Sequence, residues 1–165
     1  AFLVYPKYIN HNEGGSDDID TSDWKTYRNE EYGFELRYPG EFNLIKLQNG
    51  INFKRNCDDL EKFEEQIRCE FKGGLSVTLV KQSIEEFIEK YKNNFIEGEP
   101  LEKIIEKKEY ILDKTLGFKL KGINAENIGG LDYLFIIKNN KNYLISYNEL
   151  ADDHKKMLLS FKFIN

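Results

Sequence analysis

The sequence is poor in the residues that most often carry chemistry. It has two cysteines, two histidines, one methionine, one tryptophan and three prolines in 165 residues. His11 and His154 stand far apart, and neither has a second histidine four residues on or a cysteine beside it, so no zinc-ligand spacing exists. No G-x-S-x-G turn is present to raise a nucleophile above a sheet. The pairs Gly14-Gly15, Gly73-Gly74 and Gly129-Gly130 fit neither phosphate-binding spacing and read as turn residues that supply positive φ. No apolar run approaches the roughly 18 residues that a membrane span requires. Arginine is limited to Arg28, Arg37, Arg55 and Arg68, and a net charge of -5 with both signs mixed along the chain speaks against a nucleic-acid partner. No cofactor and no metal site is expected.

What is present fits a soluble globular domain. The chain is 40% hydrophobic and 32% charged, and at this length folding hides roughly 70% of the surface that the unfolded chain exposes. Aromatics are the one excess, with ten tyrosines and twelve phenylalanines. They read either as core filling on sheet faces or as a partly exposed cleft for a peptide, a glycan or a hydrophobic ligand. Trp24, Tyr27 and Tyr133 are the candidates for such a cleft. His154, on the last helix, reads either as a helix-flank residue or as a ligand or proton-transfer group.

The organising stretch runs from Trp24 to Pro39. From Tyr32 its alternation is strict, with Tyr32, Phe34, Leu36 and Tyr38 on one side and Gly33, Glu35 and Arg37 on the other, which predicts a half-buried strand. Pro39 lacks the N–H of a central ladder, so the strand ends there and the chain turns at Pro39-Gly40. Phe42 to Leu47 reads as a short strand apolar on both faces. Asn49-Gly50 is a type I′ hairpin signal, followed by a returning strand at residues 51–54. Leu75 to Val80 is the next strand. Ser83 and Glu86 form a capping box ahead of an apolar stripe at Ile84, Phe87, Ile88, Tyr91 and Phe95, which predicts a helix closed by Gly98 and Pro100. Residues 103–113 fit either the helix or the strand period and read as a strand on their β-branched content. Strands follow at 115–121 and, as a hairpin over Asn139-Asn140-Lys141-Asn142, at 131–138 and 143–147. The last helix spans Leu150 to Ser160, with acidic residues first and lysines later, as the helix dipole favours. Helix in two segments with hairpins between them predicts an α+β fold with an antiparallel sheet.

Two segments carry the resemblance to a known family: the tryptophan followed by Y-G-F-E-L-R-Y-P-G-E-F from Tyr32 to Phe42, and the closing Leu158-Leu159-Ser160-Phe161-Lys162-Phe163-Ile164. Together they resemble the PsbP-like domains of bacterial lipoproteins and membrane-anchored proteins, a family named after the extrinsic photosystem II subunit. The resemblance spans residues 24–165 and implies a twisted antiparallel sheet with helices packed on its faces, an α/β/α sandwich. It implies no activity and carries over no site residue.

Before the domain stands a different kind of sequence. Residues 1–23 open with Ala1-Phe2-Leu3-Val4-Tyr5-Pro6, without an initiator methionine, and continue as a polar, acidic, glycine-bearing spacer. This order leads us to expect an N-terminal membrane anchor or signal upstream, with Phe2 to Tyr8 as an extra edge strand the alternative. Asp17, Asp18, Asp20 and Asp23 have the carboxylate density of a calcium loop, but lack its central glycine and put Arg28 where its bidentate glutamate belongs.

Cys57 and Cys69 bracket an acidic insertion. A continuous helix from Asp58 to Arg68 would hold their Cα atoms roughly 18 Å apart, beyond the ~7 Å reach of a disulfide. Strand parity favours a bridge instead, with Cys57 on the face of Ile51 and Phe53 and Cys69 on that of Phe71, at the mouth of a loop with room for a short helical turn. The alternative is two separate buried thiols. Together these features lead us to expect a monomeric, non-catalytic binding or structural domain displayed outside a bacterial cytoplasm. Its expected partner is a protein, peptide or glycan of the cell envelope, and it meets the membrane only through the upstream anchor. The alternative is a cell-envelope hydrolase whose site is assembled from residues distant in sequence, such as His154 beside a buried carboxylate.

Overall fold

The stretch from Trp24 to Pro39 folds as two strands, β1 (Lys25–Asn29) and β2 (Phe34–Tyr38), paired antiparallel from Lys25↔Tyr38 to Asn29↔Phe34. This computed structural model describes residues 20–57, 62, 64–66, 69, 73–92, 103–123, 131–148 and 151–164. The expectations for the apolar stub and most of the spacer, for His11, Phe71, Phe95, Gly98, Pro100, Gly129-Gly130 and Leu150 lie outside those residues. The β1–β2 turn closes on Gly33, whose φ of 81° suits a residue without Cβ. Its N–H donates to the Asn29 carbonyl at 2.8 Å, and the Asn29 side chain accepts the Tyr32 N–H at 2.8 Å. As the alternation predicts, Tyr32, Phe34, Leu36 and Tyr38 are all buried and Arg37 is exposed.

A short strand near the C-terminus, β10 (Lys162–Phe163), pairs with β2 and completes a three-stranded sheet, β1-β2-β10. The other seven strands are β3 (Asn43–Leu47), β4 (Gly50–Lys54), β5 (Gly74–Val80), β6 (Lys103–Leu112), β7 (Thr115–Ile123), β8 (Asp132–Lys138) and β9 (Lys141–Tyr147). They form a second sheet in the order β3-β4-β5-β9-β8-β7-β6, and each of its pairings is antiparallel. The fold is α+β with antiparallel sheets. It holds two sheets where one is expected, because the β1–β2 hairpin buries its apolar face in the core of the large sheet instead of extending that sheet's edge.

Turn chemistry is partly displaced from where the sequence puts it. The β3–β4 hairpin forms, but Leu47 pairs with Gly50, so the turn is Gln48-Asn49 and neither residue has positive φ. Gly50 answers a different need, since a Cβ there would overlap the Val77 carbonyl oxygen on β5. The left-handed two-residue turns are Asp113-Lys114, at φ 44° and 61°, and Asn139-Asn140, at φ 50° and 59°. Gly73 takes φ 61°, whereas Gly74 lies within β5. β3 forms with apolar residues on both faces, as its sequence reads, without being buried. β3 is an edge strand, and Leu44 and Ile45 are each 41% exposed.

The first helix, α1 (Ile84–Lys92), starts with the reciprocal pair read from the sequence: the Ser83 N–H donates to the Glu86 carboxylate at 2.7 Å and the Glu86 N–H to Ser83 Oγ at 3.1 Å. Its stripe of Ile84, Phe87, Ile88 and Tyr91 packs with Leu120, Tyr133 and Phe135 of the large sheet. The last helix, α2 (Asp152–Leu159), has Asp152 and Asp153 in its first turn and Lys156 in its last. Met157 and Leu158 of α2 join Phe34, Leu36, Phe53, Leu75, Leu134, Ile136 and Ile145 in the larger core cluster. Residues facing that cluster alternate along β8 and β9 with residues of the smaller one, so the large sheet is apolar on both faces over these central strands.

Candidate functional site

Where β4 ends, the chain passes through Arg55 and Asn56 into a covalent closure. Cys57 and Cys69 are joined by a disulfide with their Cα atoms 5.9 Å apart, twelve residues apart in sequence. Residues 64–66 between them are helical. The expected bridge forms, beyond the end of the β4–β5 hairpin and with both cysteines buried, but not by strand parity: Cys57 lies past the end of β4 and Cys69 is helical.

Beside the bridge an open cleft of about 630 Å³ is lined by Asn43 and Ile45 of β3, Asn52 and Lys54 of β4, Arg55 and Asn56, the disulfide, and Gly73-Gly74. Asn43 and Ile45 stand opposite Lys54 and Asn52 in the β3–β4 register, so all four side chains share one face of the sheet. The carbonyl oxygen of the Asn52 side chain is buried and has no hydrogen-bond partner among the described residues. It sits against Gly74, where a Cβ would meet it at 2.7 Å.

Arg55 ties the rim to the last helix. Its guanidinium pairs with the Asp153 carboxylate, both side chains being mostly buried, and lies 4.9 Å from the centre of the Phe42 ring. Burial lowers the Arg55 pKa from its ordinary value, and the nearby Glu41 carboxylate opposes that shift. Sequence reasoning passed over Arg55. The available signal was its rarity: in a lysine-rich chain, an isolated arginine marks a place where a planar, always-charged group is wanted.

His154 is fully buried. Its Nδ1 accepts the Asn148 N–H at 3.2 Å, which puts the ring proton of the neutral form on Nε2, and its ring meets Phe42 edge to face at 6.4 Å. It is not among the residues lining the cleft. The neighbouring Asp153 carboxylate caps the His154 N–H at 2.9 Å and is already engaged by Arg55.

The three aromatic candidates do not share a surface. Trp24 and Tyr27 are half-buried against the larger core cluster, with the Tyr27 ring 5.7 Å from Phe34 and 5.4 Å from Phe53. Tyr133 is 5% exposed in the smaller cluster, 5.3 Å from Phe87 and 5.9 Å from Tyr91. Among the described residues no group of three or more His, Cys, Asp or Glu is arranged to hold a metal ion, and no helix is long and apolar enough to cross a membrane.

No family model and no curated protein matches the sequence. Among solved structures, the chain is similar to the solution structure of cyanobacterial PsbP (CyanoP) from Synechocystis sp. PCC 6803, at 14% identity and a TM-score of 0.55, over 92% of this chain and 98% of that one. The likeness establishes a PsbP-like fold for the chain.

Proposed function

We propose that this PsbP-like fold serves as a non-catalytic binding or structural module outside the cytoplasm of a bacterium, held at the cell envelope by an N-terminal anchor. The observation that carries the reading is the Cys57–Cys69 bridge, which engages both cysteines of the chain. Disulfides persist in oxidising compartments and are rare in reducing ones. The cleft beside the bridge supports the binding half of the reading. Its described lining offers amides, cations, one aliphatic side chain and glycine backbone, a set suited to holding a polar ligand. The α/β/α layering implied by the family resemblance belongs to the same proposal, with α1 on one face of the large sheet and the three-stranded sheet and α2 on the other.

Protease treatment of intact cells tests the location. Digestion of the domain in unbroken cells, with a cytoplasmic marker left whole, is expected. Digestion only after the outer envelope is opened, with the cytoplasmic marker still whole, also agrees, whereas protection that lasts until the cytoplasmic membrane is breached contradicts it.

A further inference from the structure

The two edges of the large sheet are built differently. β6 carries Glu106, Lys107, Lys108 and Glu109, and its register with β7 shifts between Ile104 and Glu106. Charges and irregular register are the ordinary means by which a sheet edge is kept from pairing with a further strand. β3, Asn-Leu-Ile-Lys-Leu, has unbroken register with β4, and Asn43 to Lys46 are all exposed. Its outer side has no strand among the described residues.

We propose that the β3 edge, with the cleft behind it, takes an extended peptide segment bearing carboxylates, which adds to the sheet beyond β3. This rests on the binding-module reading and names the ligand class. A strand edge presents N–H and C=O groups at the spacing of an extended backbone, so another extended peptide satisfies it in series where a sugar or a compact metabolite does not. Alternate residues of the incoming segment point to opposite faces. On one face they meet Asn43 and Ile45 of β3, with Lys54 of β4 behind them in the cleft. On the other they meet Leu44 and Lys46. Lys46 and Lys54 are exposed and carry no ion pair among the described residues, in a chain of net charge -5. Lys46 and Lys54 thus offer two exposed cations to the incoming segment, and these select carboxylates in the ligand.

The test uses the full-length, oxidised, nitrogen-15-labelled protein and three probes: an octapeptide alternating valine and glutamate, its valine–lysine counterpart, and the neutral oligosaccharide chitohexaose. The acidic peptide is expected to shift the amides of residues 43–47 together with Asn52, Lys54 and Gly74, and to bind about tenfold or more tightly than the basic one. Lys54→Glu, at an exposed position that the fold tolerates, is expected to erase most of that preference. Equal binding of both peptides, shifts confined to other surfaces, or no shift at millimolar peptide overturns the proposal. So does binding of the oligosaccharide alone. Slow amide exchange along the outer side of β3 in the free protein also overturns it, by showing the edge already occupied by this chain or a second copy. An intact mass of the protein from its own cells, with thiols trapped at lysis, keeps the two readings apart: bridged protein with silent peptides defeats this proposal alone, whereas reduced protein defeats the reading beneath it.

Discussion

Tyr143, at the centre of the large sheet, donates its hydroxyl to the backbone carbonyl of Tyr32, 111 residues away, at 2.7 Å. The contact holds the turn of the β1–β2 hairpin against β9, and the Lys141 ammonium reinforces it through the Glu31 carbonyl at 2.6 Å. Tyr143 is 1% exposed, and burial raises its pKa above the ordinary phenol value. Tyr143→Phe strands the Tyr32 carbonyl, and a loss of about 1–3 kcal/mol is expected in urea unfolding. The pH dependence has a definite sign. The raised folded pKa means that the neutral phenol is favoured in the native state, so this contribution is intact below the unfolded pKa and fades as pH climbs through the folded one. The parent protein should therefore lose stability more steeply than Tyr143→Phe above about pH 10. Parallel slopes for the two proteins would show that Tyr143 does not titrate with unfolding.

Gly50→Ala is expected to cost about 1–3 kcal/mol although the position needs no left-handed backbone, because the added methyl enters the Val77 carbonyl and Thr78. Thermal unfolding of Gly50→Ala beside Asn49→Ala checks this. Asn49 is an exposed turn residue without positive φ, so it should be the milder of the two.

Much of the fold was legible where the determinants are local. The burial of Tyr32, Phe34, Leu36 and Tyr38 and the Ser83–Glu86 box act within a few residues and appear as the pattern puts them, although β2 begins only at Phe34 and the β8–β9 turn is Asn139-Asn140 alone. The division into two sheets was not legible, since it depends on where the face of Phe34 and Leu36 finds its partners, among side chains such as Phe161, whose ring stacks 5.2 Å from that of Phe34. Nor does periodicity distinguish an exposed edge strand from a buried one: Leu44 and Ile45 look like core residues in sequence and become surface because β3 is last in its sheet. The cleft joins residues of β3, β4 and β5 with a loop, and of its described lining only the cysteines announced themselves beforehand.

Arg55 and Asp153 should behave as a coupled pair. Removing one partner leaves the other charge mostly buried and uncompensated, so Asp153→Asn is expected to cost about 3 kcal/mol. The double variant Arg55→Met with Asp153→Leu should cost less than the two single changes combined. Additive losses in a double-mutant cycle would show that the pair is not coupled.

The account centres on the Cys57–Cys69 bridge, whose closure of so short a loop is worth about 3 kcal/mol through the unfolded state. The direct measurement is the intact mass of the protein taken from its own cells, with free thiols trapped by alkylation at the moment of lysis and no reductant added. The account predicts a chain lighter by about two hydrogens than the reduced form and without any alkyl adduct. Quantitative alkylation of both cysteines would contradict the bridge, and with it the case for an oxidising, extracytoplasmic home.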